Sequence, residues 1–152
     1  MPKLNKIDFT LTSPKSDEDF ERYYQFRWQQ LRKPLKLPLG SERDLLDAES
    51  FHCMALDNQN SVIAVGSIQP TDSKAMRIRY MAVNAKFRRI GVGGLIINKL
   101  MDYAIERNSP TCWLNARSTA VDFYRRHGFV VLSEVGTDLK VPHFKMEASL
   151  SR

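Results

Sequence analysis

Only two cysteines, Cys53 and Cys112, occur in the 152 residues, and both sit in apolar, strand-like runs. Two such residues cannot build a disulfide framework, and nothing around them has the spacing of metal ligands. They read as buried free thiols of a protein in a reducing cytoplasm, and no metal is expected. No apolar run approaches the ~18 residues that a membrane span needs. The start, Met1-Pro2-Lys3-Leu4-Asn5-Lys6, carries charge with no apolar stretch behind it, so no signal peptide is expected. Internal repeats, low-complexity segments and interdomain linkers are lacking too. The expectation is one domain over residues 1–152, large enough for a real core and without a membrane partner.

Charge is not lacking. Twenty-three basic residues against seventeen acidic ones give a net charge of +6. The basic residues are scattered, with small clusters at 86–89 and 125–126. No aromatic RNA-binding box or helix-turn-helix pattern accompanies them, so nucleic acid is not expected as a partner. The phosphates of a cofactor would account for both clusters.

The apolar periodicity divides the chain. Ile7 to Thr12 reads as a first strand. Ser16-Asp17-Glu18-Asp19 resembles a capping box, and Phe20, Tyr24, Trp28 and Leu31 follow at helical spacing, which predicts a helix from Asp17 to about Arg32. Pro34 ends it; Lys33 to Glu42 is loop, and Glu42 to Ala48 is expected as a short second helix. Phe51–Leu56 and Ser61–Ile68 read as a hairpin around Asp57-Asn58-Gln59-Asn60. Met76–Val83 is a further strand and Gly93 to about Arg107 a helix with Ile96, Ile97, Leu100, Met101 and Ala104 on one face. Thr111–Ala116 is a strand, a short helix follows, and Phe129–Val135 with Pro142–Ala148 close the chain as an antiparallel pair. The order β-α-α-β-β-β-α-β-α-β-β is mixed α/β, with one βαβ crossover.

That crossover carries Arg88-Arg89-Ile90-Gly91-Val92-Gly93-Gly94 between strand and helix. A glycine-rich turn into a helix offers backbone N–H groups with no intrahelical partner, at the positive end of the helix dipole. Such a turn suits a phosphate or diphosphate. A P-loop is excluded, because no Lys-Ser or Lys-Thr follows the glycines. A dinucleotide fingerprint fits Gly91 and Gly93 but meets Ile96 at its third glycine, and the next strand runs into Asn115-Ala116-Arg117 without a carboxylate. The pattern [RQ]-x-x-G-x-[GA] is matched in full by Arg88, Gly91 and Gly93. It resembles the acetyl-CoA-binding loop of the GNAT family of N-acetyltransferases.

A second segment carries the same resemblance. Ala120-Val121-Asp122-Phe123-Tyr124-Arg125-Arg126-His127-Gly128-Phe129 is similar to the family's A-x-x-F-Y-x-x-x-G-F. Read from the residues alone, Ser118 or Thr119 caps a short helix, Gly128 closes it, and Phe129 begins a strand. The likeness covers the chain well from about residue 50 onward; the first fifty residues fit in outline. It extends to GNAT domains that precede hot-dog thioesterase-like domains.

The resemblance implies a GNAT fold with a mixed sheet of about seven strands and about four helices. It implies acetyl-CoA as co-substrate, transfer to an amine by direct attack, and often a homodimer. Cofactor contacts are then expected from Met81 and Val83 on the strand before the loop, and from Arg88, Arg89, Ile90, Gly91, Val92, Gly93 and Gly94 in the loop. Asn115, Arg117, Phe123 and Tyr124 complete that set, with Arg117 standing where many members carry Asn. Tyr124 matches the family's frequent catalytic tyrosine, the proton donor to the leaving thiolate. The general base is open: Met76-Arg77-Ile78-Arg79-Tyr80-Met81 lacks the glutamate many members use, leaving His143, His52 or a water relay. The first helix and its following loop are expected to line the acceptor pocket, with Arg27, Arg32 and Arg43 suiting an acidic or flat substrate. A non-catalytic acyl-CoA-binding module is the alternative.

Overall fold

A computed structural model describes residues 8–136 and 141–151. One seven-stranded sheet carries the chain, in the order β1-β2-β3-β4-β5-β7-β6. Strands β1 (Phe9–Thr12), β2 (Phe51–Asp57), β3 (Val62–Pro70) and β4 (Met76–Val83) form an antiparallel meander. Ile7, the expected start of β1, lies outside the described residues. Helix α2 (Val92–Glu106) crosses from β4 to the parallel strand β5 (Thr111–Arg117). Helix α3 (Val121–Arg125) leads to β6 (Val130–Val135). The last strand, β7 (His143–Ser149), inserts between β5 and β6, antiparallel to both.

Helix α1 (Asp17–Leu31) starts where the sequence placed a cap. Ser16 accepts from the Asp19 N–H at 3.0 Å, and the Asp19 carboxylate returns a bond to the Ser16 N–H at 3.3 Å. Two otherwise unpaired donors are satisfied, and three acids sit at the positive end of the dipole. The helix lays Tyr23 and Phe26 against Met54 and Val65 on one face of the sheet. On the other face, α2 contributes Val92, Ile96, Ile97, Leu100 and Ala104 to the main core, as its periodicity predicts. Gly66 on β3 allows that approach: a Cβ there would stand 2.5 Å from Met81 Sδ and 2.8 Å from Ile96 Cγ2.

The helix expected at Glu42–Ala48 is not formed. The segment runs through turns into one 3₁₀ turn at Asp47–Glu49. Its aspartates bond to the backbone instead of leaving it to a helix. Asp44 accepts the Leu46 N–H at 2.7 Å, and Asp47 accepts the Asp44 N–H at 2.8 Å. The described residues therefore hold three α-helices, with short 3₁₀ turns such as Lys33–Leu35 in the connections.

Candidate active site

Strands β4 and β5 pair only at Met76↔Cys112 and Arg77↔Trp113. Beyond those pairs they diverge, and a cavity of about 1080 Å³ opens between them. Its walls include residues 78–83 of β4 and 114–117 of β5, and it runs to the start of α2 and to α3. Within β4 the register against β3 slips by one residue between Ala82↔Val65 and Arg79↔Ser67. Tyr80 takes up the slip in the left-handed region, at φ 59°. A bulge of this kind re-aims the side chains that follow it.

The glycine-rich turn is built as an open helix start. Asn84 accepts the Lys86 N–H at 3.0 Å and sets a 3₁₀ turn at Ala85–Phe87. Arg89 and Gly91 then take positive φ, 71° and 92°. Gly91 is the residue before α2, and no side chain among the described residues caps that helix. The first N–H groups of α2 thus have no intrahelical acceptor, and Gly91, Gly93 and Gly94 line this end of the cavity. Gly93 and Gly94 serve a second purpose. A Cβ on Gly93 would meet Val83 Cγ2 at 3.3 Å, and one on Gly94 would meet the His127 ring at 3.0 Å. Both glycines therefore let α2 pack closely on β4 and on the end of α3. Arg88, Arg89 and Arg126 border this end of the cavity.

Tyr124 is buried at 8% exposure and reaches the cavity wall. Its ring lies edge-on to Phe123 and Phe129, at centroid distances of 5.0 and 5.8 Å. Burial pushes its phenol pKa up, and the Arg117 guanidinium opposes that rise. Gly128, at φ 93°, closes α3, with the Phe129 N–H returning to the Tyr124 carbonyl at 3.1 Å. His143 lies opposite Arg117 across the β5–β7 ladder and also lines the cavity. Its Nδ1 stands 2.9 Å from the Val141 carbonyl. A carbonyl only accepts, so Nδ1 carries a proton, and Nε2 is the ring nitrogen left to meet a substrate.

These elements recur in known proteins. The family model described as an acetyltransferase (GNAT) domain matches residues 16–150. The chain belongs to the GNAT acetyltransferase family. An uncharacterized N-acetyltransferase of Bacillus subtilis (strain 168), YjcF, is 32% identical over 133 residues, 87% of this chain and 94% of that protein. An acyl-CoA N-acyltransferase from Pseudomonas aeruginosa shares the fold at a TM-score of 0.78 and 21% identity, covering 94% of this chain and 99% of the other. An aminoglycoside 6'-N-acetyltransferase, solved with coenzyme A, superimposes at 0.77 and 11% identity, covering 96% and 98%. At these identities the two structures establish the fold.

In this GNAT domain, most residues expected at the cofactor line the cavity: Met81, Val83, Arg88, Arg89, Gly91, Gly93, Gly94, Asn115, Arg117, Phe123 and Tyr124. Ile90 and Val92 do not. Ile90 is partly exposed to solvent and Val92 belongs to the core, which leaves each only its main chain to offer. Of the arginines expected at the acceptor, only Arg32 lines the cavity. Arg27 is fully buried and pairs with Asp47 at 3.1 Å, and Arg43 pairs with Glu42 at 3.3 Å. His52 is a structural histidine. Its Nε2 donates to the Asp47 carbonyl at 2.8 Å, and its Nδ1 accepts from the Tyr23 hydroxyl at 2.8 Å.

Arg77, Arg79 and Tyr80 are among the wall residues whose placement sequence reading missed. The signal was present: in Met76-Arg77-Ile78-Arg79-Tyr80-Met81-Ala82-Val83 the apolar positions are even at 76 and 78 and odd at 81 and 83. That change of parity marks the bulge. Among the described residues no group of three or more His, Cys, Asp or Glu could hold a metal. No helix among them is long and apolar enough to cross a membrane.

Proposed function

We propose that the cavity holds acetyl-CoA and that the chain moves its acetyl group to an amine by direct attack. One observation carries the reading: an uncapped, glycine-rich helix start, bordered by three arginines, opens onto the gap between β4 and β5. A diphosphate fits the main-chain N–H groups of residues 89–94, because the turn borders the gap and no described side chain caps the helix start. The edge of β4 beyond Arg77 has no β5 partner, so Met81 and Val83 can hold an extended amide chain. Asn115, Arg117 and Phe123 flank it. Bound there, acetyl-CoA supplies the thioester.

Tyr124 donates a proton to the departing sulfur; burial raises its pKa and so keeps the phenol protonated, while the Arg117 guanidinium, which opposes that rise, favours the phenolate left behind. His143 offers Nε2 to the attacking amine, directly or through water. The cationic wall assists it: an ammonium brought near Arg32 and Arg117 gives up its proton more readily, since like charges disfavour its charged form. That is a physical reason why a glutamate base is dispensable here.

The reading is tested by isothermal titration with coenzyme A and by free-thiol release from acetyl-CoA with a panel of amines. Micromolar binding and amine-dependent release are expected. No heat at millimolar coenzyme sinks the reading; binding without turnover on any amine makes the chain an acyl-CoA-binding module.

A further inference from the structure

Four arginines, Arg32, Arg77, Arg79 and Arg117, line the cavity away from the glycine turn, and no carboxylate among the described residues joins them on its wall. Arg79 is neutralised by Asp44, which also accepts from the Tyr80 hydroxyl at 3.1 Å. The other three form no ion pair with a described residue. Arg77 lies over the Trp113 ring, 4.6 Å from its centroid, and its Nε is buried with no hydrogen-bond partner among the described residues. Arg32 donates through Nε to the Ser41 carbonyl and through Nη1 to the Leu31 carbonyl, which leaves Nη2. The Arg117 guanidinium makes no hydrogen bond to a described residue. Burial disfavours the charge on Arg77 and on Arg32, and neighbouring guanidiniums disfavour it further: Arg79 at the first, Arg79, Arg117 and Arg27 at the second; the Asp44 carboxylate that pairs with Arg79 offsets only part of this at Arg77.

Half-buried guanidiniums without counter-charges are costly, and the cost falls when an anion enters. The planar fork of arginine matches an oxyacid in particular. Resting on the acetyl-transfer reading above, we infer that the acceptor is a small amine that carries its own carboxylate or phosphate, held by Arg77 and Arg32. The amine is thereby presented beside Tyr124 and His143, while the anionic end lies towards β4 and the end of α1. Polyamines and aminoglycosides, which are cationic, are repelled from this wall.

The test is steady-state thiol release from acetyl-CoA with matched amines. These are glutamate and aspartate, phosphoethanolamine, the neutral propylamine, and spermidine. The anionic amines are expected to exceed propylamine in kcat/KM by at least about tenfold, the effect of one charge-assisted contact. Whether glutamate or phosphoethanolamine leads tells carboxylate from phosphate. Arg77→Gln and, separately, Arg32→Gln should raise the KM of the best anionic amine by about tenfold and leave the KM of acetyl-CoA within about twofold. As a readout apart from turnover, calorimetric titration of the coenzyme A complex with the acetylated form of that amine should give heat in the parent and none in Arg77→Gln, with unchanged melting temperatures proving both folded. A preference for propylamine or spermidine overturns the inference. So does a rise in the acetyl-CoA KM alone, which would assign these arginines to the coenzyme. Both outcomes leave acetyl transfer standing; failure of coenzyme binding itself removes the underlying reading and this one with it.

Discussion

Replacing Tyr124 by Phe removes one oxygen from the cavity wall and little else. The hydroxyl makes no hydrogen bond to a described residue, and the edge-on contacts with Phe123 and Phe129 involve the ring alone. Stability should therefore change by less than about 1 kcal/mol, the scale of a single net hydrogen bond. If the phenol protonates the leaving sulfur, kcat should fall about 100-fold, the lower end for a positioned general acid and equivalent to about 2.7 kcal/mol of barrier. Because burial raises the phenol pKa, the group is protonated throughout pH 6–9, and the ratio of parent to variant kcat should be flat across that range. Thiol release with the best amine of the panel, beside a thermal melt of both proteins, gives all three quantities. Unchanged kcat refutes the assignment. A loss confined to the KM of acetyl-CoA makes Tyr124 a binding residue, and a ratio that varies through neutral pH means another group donates the proton.

Gly91→Ala puts a Cβ at φ 92°, where the left-handed backbone costs an L-residue about 1–2 kcal/mol. Since no atom lies within 4 Å of that Cβ, the loss should be backbone strain, seen as a lower denaturation midpoint together with weaker coenzyme A binding by calorimetry. Arg27→Gln leaves the Asp47 carboxylate buried and unpaired, and should cost about 3 kcal/mol or more in urea unfolding. Arg27→Gln with Asp47→Asn should recover part of that loss, and a double variant as unstable as the sum of both singles would refute the pairing. Burial lowers the His52 pKa from its usual 6.5, so His52 favours folding fully above pH 6.5 and loses that contribution as the pH falls below it. The melting temperature should drop between pH 7 and 5, less steeply in His52→Gln; equal slopes would remove His52 as the cause.

The elements that position the site were legible because their signals are local. The capping box of Ser16, the periodicity of α2 and the closing glycine of α3 each sit within a few residues of what they determine. Boundaries moved by one or two residues, as at β3, which ends at Pro70 and not Ile68. The segment 42–48 was misread because its acids look like helix-start residues. Their partners, Arg27 on α1 and Arg79 on β4, lie 20 and 35 positions away in the chain. The acceptor arginines failed for the same reason. Arg27 and Arg32 are five residues apart on paper, yet one is sealed in an ion pair and the other faces the cavity.

The bulge at Tyr80 shows why both halves of the site fit on one strand. In an unbroken strand, residues 77, 79, 81 and 83 would share a face. Arginines and apolar side chains would then compete for the same surface. The extra residue at position 80 reverses the alternation. Met76 and Ile78 before it, and Met81 and Val83 after it, all pack towards α2. Arg77 and Arg79 are left on the opposite face, with Ala82 against the α1 core. Gly66 stands across from the bulge, where any side chain would collide with Met81. The strain of a left-handed tyrosine, of order 1–3 kcal/mol, is sustained because the core fixes the strand on both sides of it. The bulge thus places an apolar edge for an extended amide chain and a cationic wall on opposite faces of a single strand, at the point where β5 turns away.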